Sequence, residues 1–271
     1  MGRKKAMGTG RELRKSEFID QVDKRSVILQ ASHGLMLGPS EGDDIEALRT
    51  IAKTGIDGII VTRGFANRYS SIFRGRNSPA MLLSLDWTNA FRGRDHPLPM
   101  ARLEHMFLSS VEEALSLGAS GVTAYFFIGH EDDEHEASNM EALSAACRDC
   151  DSLEMPILVQ VIPIGERVTA ENYVDSLALA SRMAVEAGAD ILAVPYAGKD
   201  GHSRIVTAAK VPVLLLDLEM KMSKGQPEFN IELDTPDAIR AGGSGLVLGR
   251  HYIERKNAPY IERLVKLVHG G

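Results

Sequence analysis

From residue 26 onward, short apolar runs alternate with amphipathic stretches, and they do so eight times. The runs fall at 26–33, 58–63, 80–87, 121–129, 156–163, 191–196, 211–218 and 245–250. Most are continuous rather than strictly alternating, as expected of parallel strands buried on both faces. Between them, 43–53 carries Ile45, Leu48 and Ile51, and 100–117 carries Leu103, Phe107, Val111 and Leu115. The stretch 173–186 carries Leu177, Leu179, Met183 and Val185. These spacings predict helices. A Gly-rich phrase closes a helix and opens a strand at 53–59, 117–122, 187–191 and 242–246, where glycine supplies the left-handed stop. Eight such units without a linker predict a single (β/α)8 barrel over 26–271, preceded by a basic segment at 1–25. A doubly wound open sheet would need a Gly-rich phosphate turn after the first strand, and Ser32-His33-Gly34-Leu35-Met36 is not one.

The chain is 44% hydrophobic and 25% charged, which is enough apolar matter for a packed core and excludes a disordered chain. A net charge of −6 gives no reason to expect nucleic acid. The early cations Arg3, Lys4, Lys5, Arg11, Arg14 and Lys15 read as a solvated or subunit-contacting segment, with a polyanion-binding arm as the alternative. No apolar run approaches the roughly 20 residues that cross a bilayer, and no apolar h-region follows the basic start. A cytoplasmic location without membrane attachment is therefore expected. Cys147 and Cys150 have no second cysteine pair to complete a metal site, so they read as structural.

A barrel carries its chemistry at the carboxyl ends of its strands. Position alone selects Ser32 and His33, Thr62 and Arg63, Asp86 and Trp87, Gly129 and His130, Gln160, Tyr196, Asp217, Gly249 and Arg250. His33 ends the first run and suits acid/base work near neutrality. The eighth unit, with Gly242-Gly243-Ser244-Gly245 before the strand and Gly249-Arg250 after it, matches a phosphate corner. Glycine frees backbone N–H groups there, and Arg250 adds a charged donor; the plain alternative is a turn whose arginine pairs with a neighbouring carboxylate. The run at 130–136 holds His130 and His135 five positions apart, which is not the i, i+4 spacing of a helical metal pair, and its acids suit a helix start. The loop at 69–77 is rich in arginine and is a candidate to line the site.

Taken together, His33-Gly34 with Gly38-Pro39, the 118–122 and 128–129 segments, Gly188-Ala189-Asp190-Ile191 and Ser244 through Arg250 resemble the archaeal-type class I aldolases. These are the DhnA-like branch of the DeoC/LacD superfamily, which includes fructose-bisphosphate aldolase, dideoxy-heptulosonate synthase and the autoinducer-2 thiolase. The resemblance spans about residue 26 to 270. It implies a (β/α)8 barrel, a small phosphorylated keto or sugar substrate, a pentameric or decameric assembly and a Schiff-base lysine on the sixth strand. The family's Gly-Ala-Asp-Ile-x-Lys reads Gly188-Ala189-Asp190-Ile191-Leu192-Ala193 here, so alanine stands where the lysine belongs. The usual Asp-His-Gly is Ser32-His33-Gly34, the expected fifth-strand tyrosine aligns with Ile162, and the paired glycines after the seventh strand are replaced around Asp217-Leu218-Glu219-Met220.

Three readings stay open. Lys199, straight after the sixth strand, could replace the imine lysine, with Lys221 and Lys224 as further candidates. Alternatively, Asp86 and Asp217 could act without an imine, as acid/base groups or around a divalent ion. The third is a catalytically inactive homologue that binds a sugar phosphate as a sensor or regulatory partner. No cofactor is otherwise expected. The favoured reading is C–C bond cleavage or formation with His33 as acid/base, Lys199, Asp86 and Asp217 at the mouth, and Gly243, Gly249 and Arg250 on the phosphate.

Overall fold

The computed structural model describes residues 8–37, 45–130, 132–218 and 220–270. Arg3, Lys4, Lys5, Gly38, Pro39, Asp43, Glu131 and Glu219 lie outside them. Eight parallel strands close a barrel: β1 (Ser26–Gln30), β2 (Gly58–Val61), β3 (Ala80–Ser84), β6 (Gly121–Ile128), β7 (Ile157–Pro163), β8 (Ile191–Val194), β9 (Val213–Leu216) and β10 (Gly245–Leu248). All eight expected strands are present. The strands alternate inward and outward with the two-residue period of the pleat. Ile28, Ile60, Leu82, Leu158, Ile191, Leu214 and Val247 pack together in the lumen. Their outward neighbours, among them Leu29, Ile59, Leu83, Val159, Leu192 and Leu215, pack in a separate shell under the helices. Gly245 sits at φ 124°, and a Cβ there would meet the Ser26 carbonyl at 1.9 Å, so only glycine lets β10 close on β1.

Around the barrel run α3 (Ile45–Ile51), α4 (Arg63–Tyr69), α5 (Val111–Ser116), α6 (Asp133–Leu153), α7 (Tyr173–Ala187), α8 (Lys199–Ala209), α9 (Ile231–Arg240) and α11 (Ala258–His269). Short turns α2 (Gly34–Leu37) and α10 (His251–Glu254) follow the first and last strands. Among the described residues no helix is long and apolar enough to cross a membrane.

The helix expected at 100–117 is mostly something else. Residues 86–107 form a hairpin of β4 (Asp86–Thr88) and β5 (His105–Phe107), paired antiparallel with Asp86 opposite Phe107. Leu103, Phe107, Val111 and Leu115 are spaced by four, which satisfies a strand's period of two as well as a helix's 3.6. The helix proper begins at a capping box: the Ser110 hydroxyl accepts from Glu113 N (3.2 Å) and the Glu113 carboxylate accepts from Ser110 N (3.2 Å).

In the described part of the N-terminal segment, Arg11 and Phe18 are docked rather than solvated. Helix α1 (Thr9–Lys15) lies under the amino end of the barrel, and Arg11 is 8% exposed, paired with Asp151 (2.8 Å) and Asp190 (3.2 Å). Phe18 inserts its ring into the floor of the lumen beneath Ile28, Leu82 and Val247. In α11, Ile261, Leu264 and Val268 are buried against the barrel, so they offer no surface to another subunit. Cys147 and Cys150 lie on the buried face of α6; burial pushes the Cys147 thiol up to about 12 and the Cys150 thiol in the same direction, which suits packing and not chemistry.

Candidate active site

Gln30 is the last residue of β1 and points into the lumen, with Ser32 and His33 on the loop that leaves it. The Gln30 side-chain amide donates to Ser32 Oγ (2.9 Å) and to the Tyr125 hydroxyl (2.7 Å). His33 Nε2 lies 3.0 Å from the same hydroxyl. Tyr125 reaches this point from β6, across the barrel, and stands in register with Gln160 of β7 and Ala193 of β8. Its ring stacks on Phe127 (5.6 Å, 22°), and Phe91 tilts against both Tyr125 (5.3 Å) and His33 (4.9 Å). Gln160 donates to Thr123 Oγ1 (3.2 Å).

These groups line a narrow cavity at the carboxyl ends of the strands, shared with Leu216, Asp217, Met220, Leu248 and Gly249. Its volume is about 40 Å³, which makes the mouth narrow. The hairpin accounts for this, because Ala90, Phe91 and Leu103 pack down onto the mouth with Met36 and Met222.

His33, Gln160, Asp217 and Gly249 thus meet where the sequence placed them. Ala193 is fully buried in the lumen. Lys199 does not join them: it opens α8 as an exposed residue and lines no part of this cavity. Lys221 pairs with Glu228 (2.6 Å) and Lys224 with Glu166 (2.5 Å), both on the surface. Asp217 has His251 Nε2 at 3.4 Å, and the Tyr252 hydroxyl bonds to it, which with burial pushes that phenol far above its ordinary value.

The phosphate corner is only half assembled. Gly249 lies at the mouth, where an added Cβ would meet His251 Nδ1 at 2.7 Å. Arg250 is 7% exposed, and its Nε and Nη2 both donate to Glu254 Oε1 (3.1 and 3.0 Å), the plain pairing. Gly243 belongs elsewhere, since it precedes β10 and therefore sits at the amino end of the strand, against Ala238 and His202. Helix α10 is a single turn of 4 residues.

Asp86 does not face Asp217. It is 1% exposed and fully used: its carboxylate accepts from Tyr125 N (2.5 Å), the Ser84 hydroxyl (3.3 Å) and His105 Nε2 (2.7 Å). On the other side of the His105 ring, Nδ1 accepts from the Asn139 amide, whose oxygen accepts from Phe127 N (3.1 Å). The backbone bond fixes the amide's orientation, so the proton of His105 sits on Nε2. His105 was not among the expected site residues. It lines a second cavity of about 290 Å³ between the hairpin and α6, together with Arg102, His130, His135, Glu134 and Glu136. There His135 Nδ1 is 3.0 Å from Asp132, and the His130 and His135 rings lie 5.1 Å apart. No group of three or more His, Cys, Asp or Glu side chains able to hold a metal gathers among the described residues. The loop at 69–77 is also away from the mouth; Arg74 and Asn77 line a cleft with Arg49 and Lys53.

Comparison with known proteins agrees with this barrel. The pattern of the DeoC/LacD family aldolases matches residues 26–255. An uncharacterized aldolase of Saccharolobus solfataricus is 26% identical, covering 96% of this chain and 94% of its own. The class 1 fructose-bisphosphate aldolase of Thermoproteus tenax is 30% identical, covering 91% and 90%. The crystal structure of an archaeal fructose 1,6-bisphosphate aldolase superposes with a TM-score of 0.76 at 28% identity, covering 97% of this chain and 100% of that one.

Proposed function

The chain belongs to the DeoC/LacD family of aldolases, and from that premise we propose that it makes or breaks a C–C bond in a small phosphorylated ketone without a lysine imine. One observation carries the reading. At the level in the lumen where Ala193 sits, the wall carries Tyr125 and Gln160, and Gln30 and His33 meet Tyr125 across the barrel. Among the described residues no lysine lines that cavity. His33 is the acid/base group, since its ring is the imidazole in the mouth with a hydrogen-bonded hydroxyl beside it. Arg250 would meet a phosphate by exchanging its contact with Glu254, and Gly249 would admit one beside the strand end.

The experiment pairs two measurements on the wild-type protein. Incubation with fructose 1,6-bisphosphate and a panel of ketose phosphates, followed by nuclear magnetic resonance, should show cleavage products from at least one compound. Borohydride reduction with the same panel should leave the intact mass unchanged. A reduced adduct on any lysine would overturn the imine-free mechanism. Retention of ligand with no turnover of any compound would favour the sensor reading instead.

A further inference from the structure

The arginine-rich loop at 69–77 takes no part in the mouth, and its charge gathers elsewhere. Lys53 follows α3 and Pro79 precedes β3, so the cleft they share opens on the amino side of the barrel. Its volume is about 450 Å³, against about 290 and 40 Å³ for the two cavities described above. Ala52, Ile72 and Pro79 make a buried apolar floor. Above it stand the exposed cations Arg49, Lys53 and Arg74, with Ser71 and Asn77 as neutral hydrogen-bonding groups. No carboxylate lines the cleft, in a chain whose net charge is −6. The cavity beside the hairpin, by contrast, sets Glu104, Glu134 and Glu136 around Arg102.

The loop is held in place by its own bonds. Ser78 closes the turn, its Oγ donating to Arg74 O (2.7 Å) and its N–H to Gly75 O (3.4 Å), with Gly75 at φ 121°. Arg74 Nη2 donates to Ser70 Oγ (3.0 Å), a neutral partner that orients the guanidinium without neutralising it. Arg49 pairs with Glu46 (2.8 Å), and Lys53 suits the negative end of α3. Neither relation accounts for Arg74, and among the described residues Arg74 and Lys53 have no carboxylate partner. A concave surface of one charge sign concentrates counter-ions. Arginine meets phosphoryl oxygens as a planar fork and lysine as a point charge.

We propose that this cleft is a second binding site, for a small phosphorylated anion held by Arg74, Lys53 and Arg49. The volume falls in the range of small-molecule sites, roughly 300–1,000 Å³. The chain's overall negative charge opposes a nucleic-acid polymer lying across the surface. No residue of the cleft belongs to the mouth, so its occupation is independent of the aldolase reading.

Inorganic pyrophosphate, small and charged enough to engage all three cations, is the probe. It is titrated calorimetrically at about 0.15 M salt into the full chain, as wild type, Arg74→Gln, Lys53→Gln and Arg250→Gln. Both cleft side chains are exposed, so their variants should keep the parent's thermal midpoint. Wild type should bind saturably. Arg74→Gln and Lys53→Gln should each weaken the dissociation constant by about tenfold or more, and Arg250→Gln should leave it unchanged. Weaker binding in Arg250→Gln with both cleft variants like the parent puts the anion at the mouth and overturns the site. A wild type with no saturable binding below about 1 mM overturns it too.

Discussion

His269, near the end of α11, lies between two carboxylates, with Nδ1 2.7 Å from Asp23 and Nε2 3.1 Å from Asp57. The bond to Asp57, then that to Asp23, raises its pKa to about 9. A base whose pKa rises on folding stabilises the fold below its unfolded value, and this is lost as pH climbs from about 6.5 through about 9. His202 behaves in the opposite way. It is buried in α8 with neither ring nitrogen hydrogen-bonded among the described residues, and burial lowers its pKa to about 4. The fold therefore loses stability as pH falls from about 6.5 toward 4, where the unfolded chain binds the proton more readily. Urea midpoints across pH should show wild type gaining about 1 kcal/mol over His269→Gln at pH 6, after solvent screening, and nothing by pH 10. His202→Leu should remove part of the acid-side decline. Equal slopes for variant and parent on either side would remove that assignment. The two histidines had no signal in the sequence, because their roles depend on partners from Asp23 and Asp57 or on the absence of any.

At the scale of elements, the hairpin of β4 and β5 is held by one chain of hydrogen bonds from Asp86 through His105 and Asn139 to the backbone of β6. Arg92 Nε donating to Met36 O (2.8 Å) ties its far end to α2. Asn139→Ala leaves His105 Nδ1 and Phe127 N–H buried without partners and should cost about 1–3 kcal/mol. Limited trypsin digestion should then cut at Arg92 or Arg94 faster than in wild type; unchanged cleavage would show the chain does not hold the hairpin. Sequence patterning located the strands because each is a buried apolar run, but it extended 26–33 past Gln30, since Ser32 and His33 are buried too. The hairpin stayed hidden because its apolar spacing fits both periods. Tyr125 was missed for a related reason: all of 121–128 is buried, so nothing in the run marks which residues face the lumen. Only the register with Gln160 and Ala193 separates them.

Across the whole molecule, the barrel has a plugged floor and a covered mouth. Phe18 supplies the plug, and beside it Arg11 spends its charge on Asp151 and Asp190 rather than on solvent. Phe18→Ala should lower stability by about 3–5 kcal/mol, read as a drop in the denaturant midpoint with the slope kept. A loss below about 1 kcal/mol would mean the floor collapses around the gap. The closing pair of strands has a different consequence. Ser26 of β1 stands in register with Gly245 of β10 and its N–H donates to Ser244 O (2.9 Å), and the floor segment docks on strands from the middle of the chain. On a ribosome, the first strand emerges long before its partner and must wait with one edge bare. Closure of β10 on β1 therefore comes late in synthesis, and a pause placed near the codons of 240–245 would prolong the interval in which a holdase can reach the bare edge.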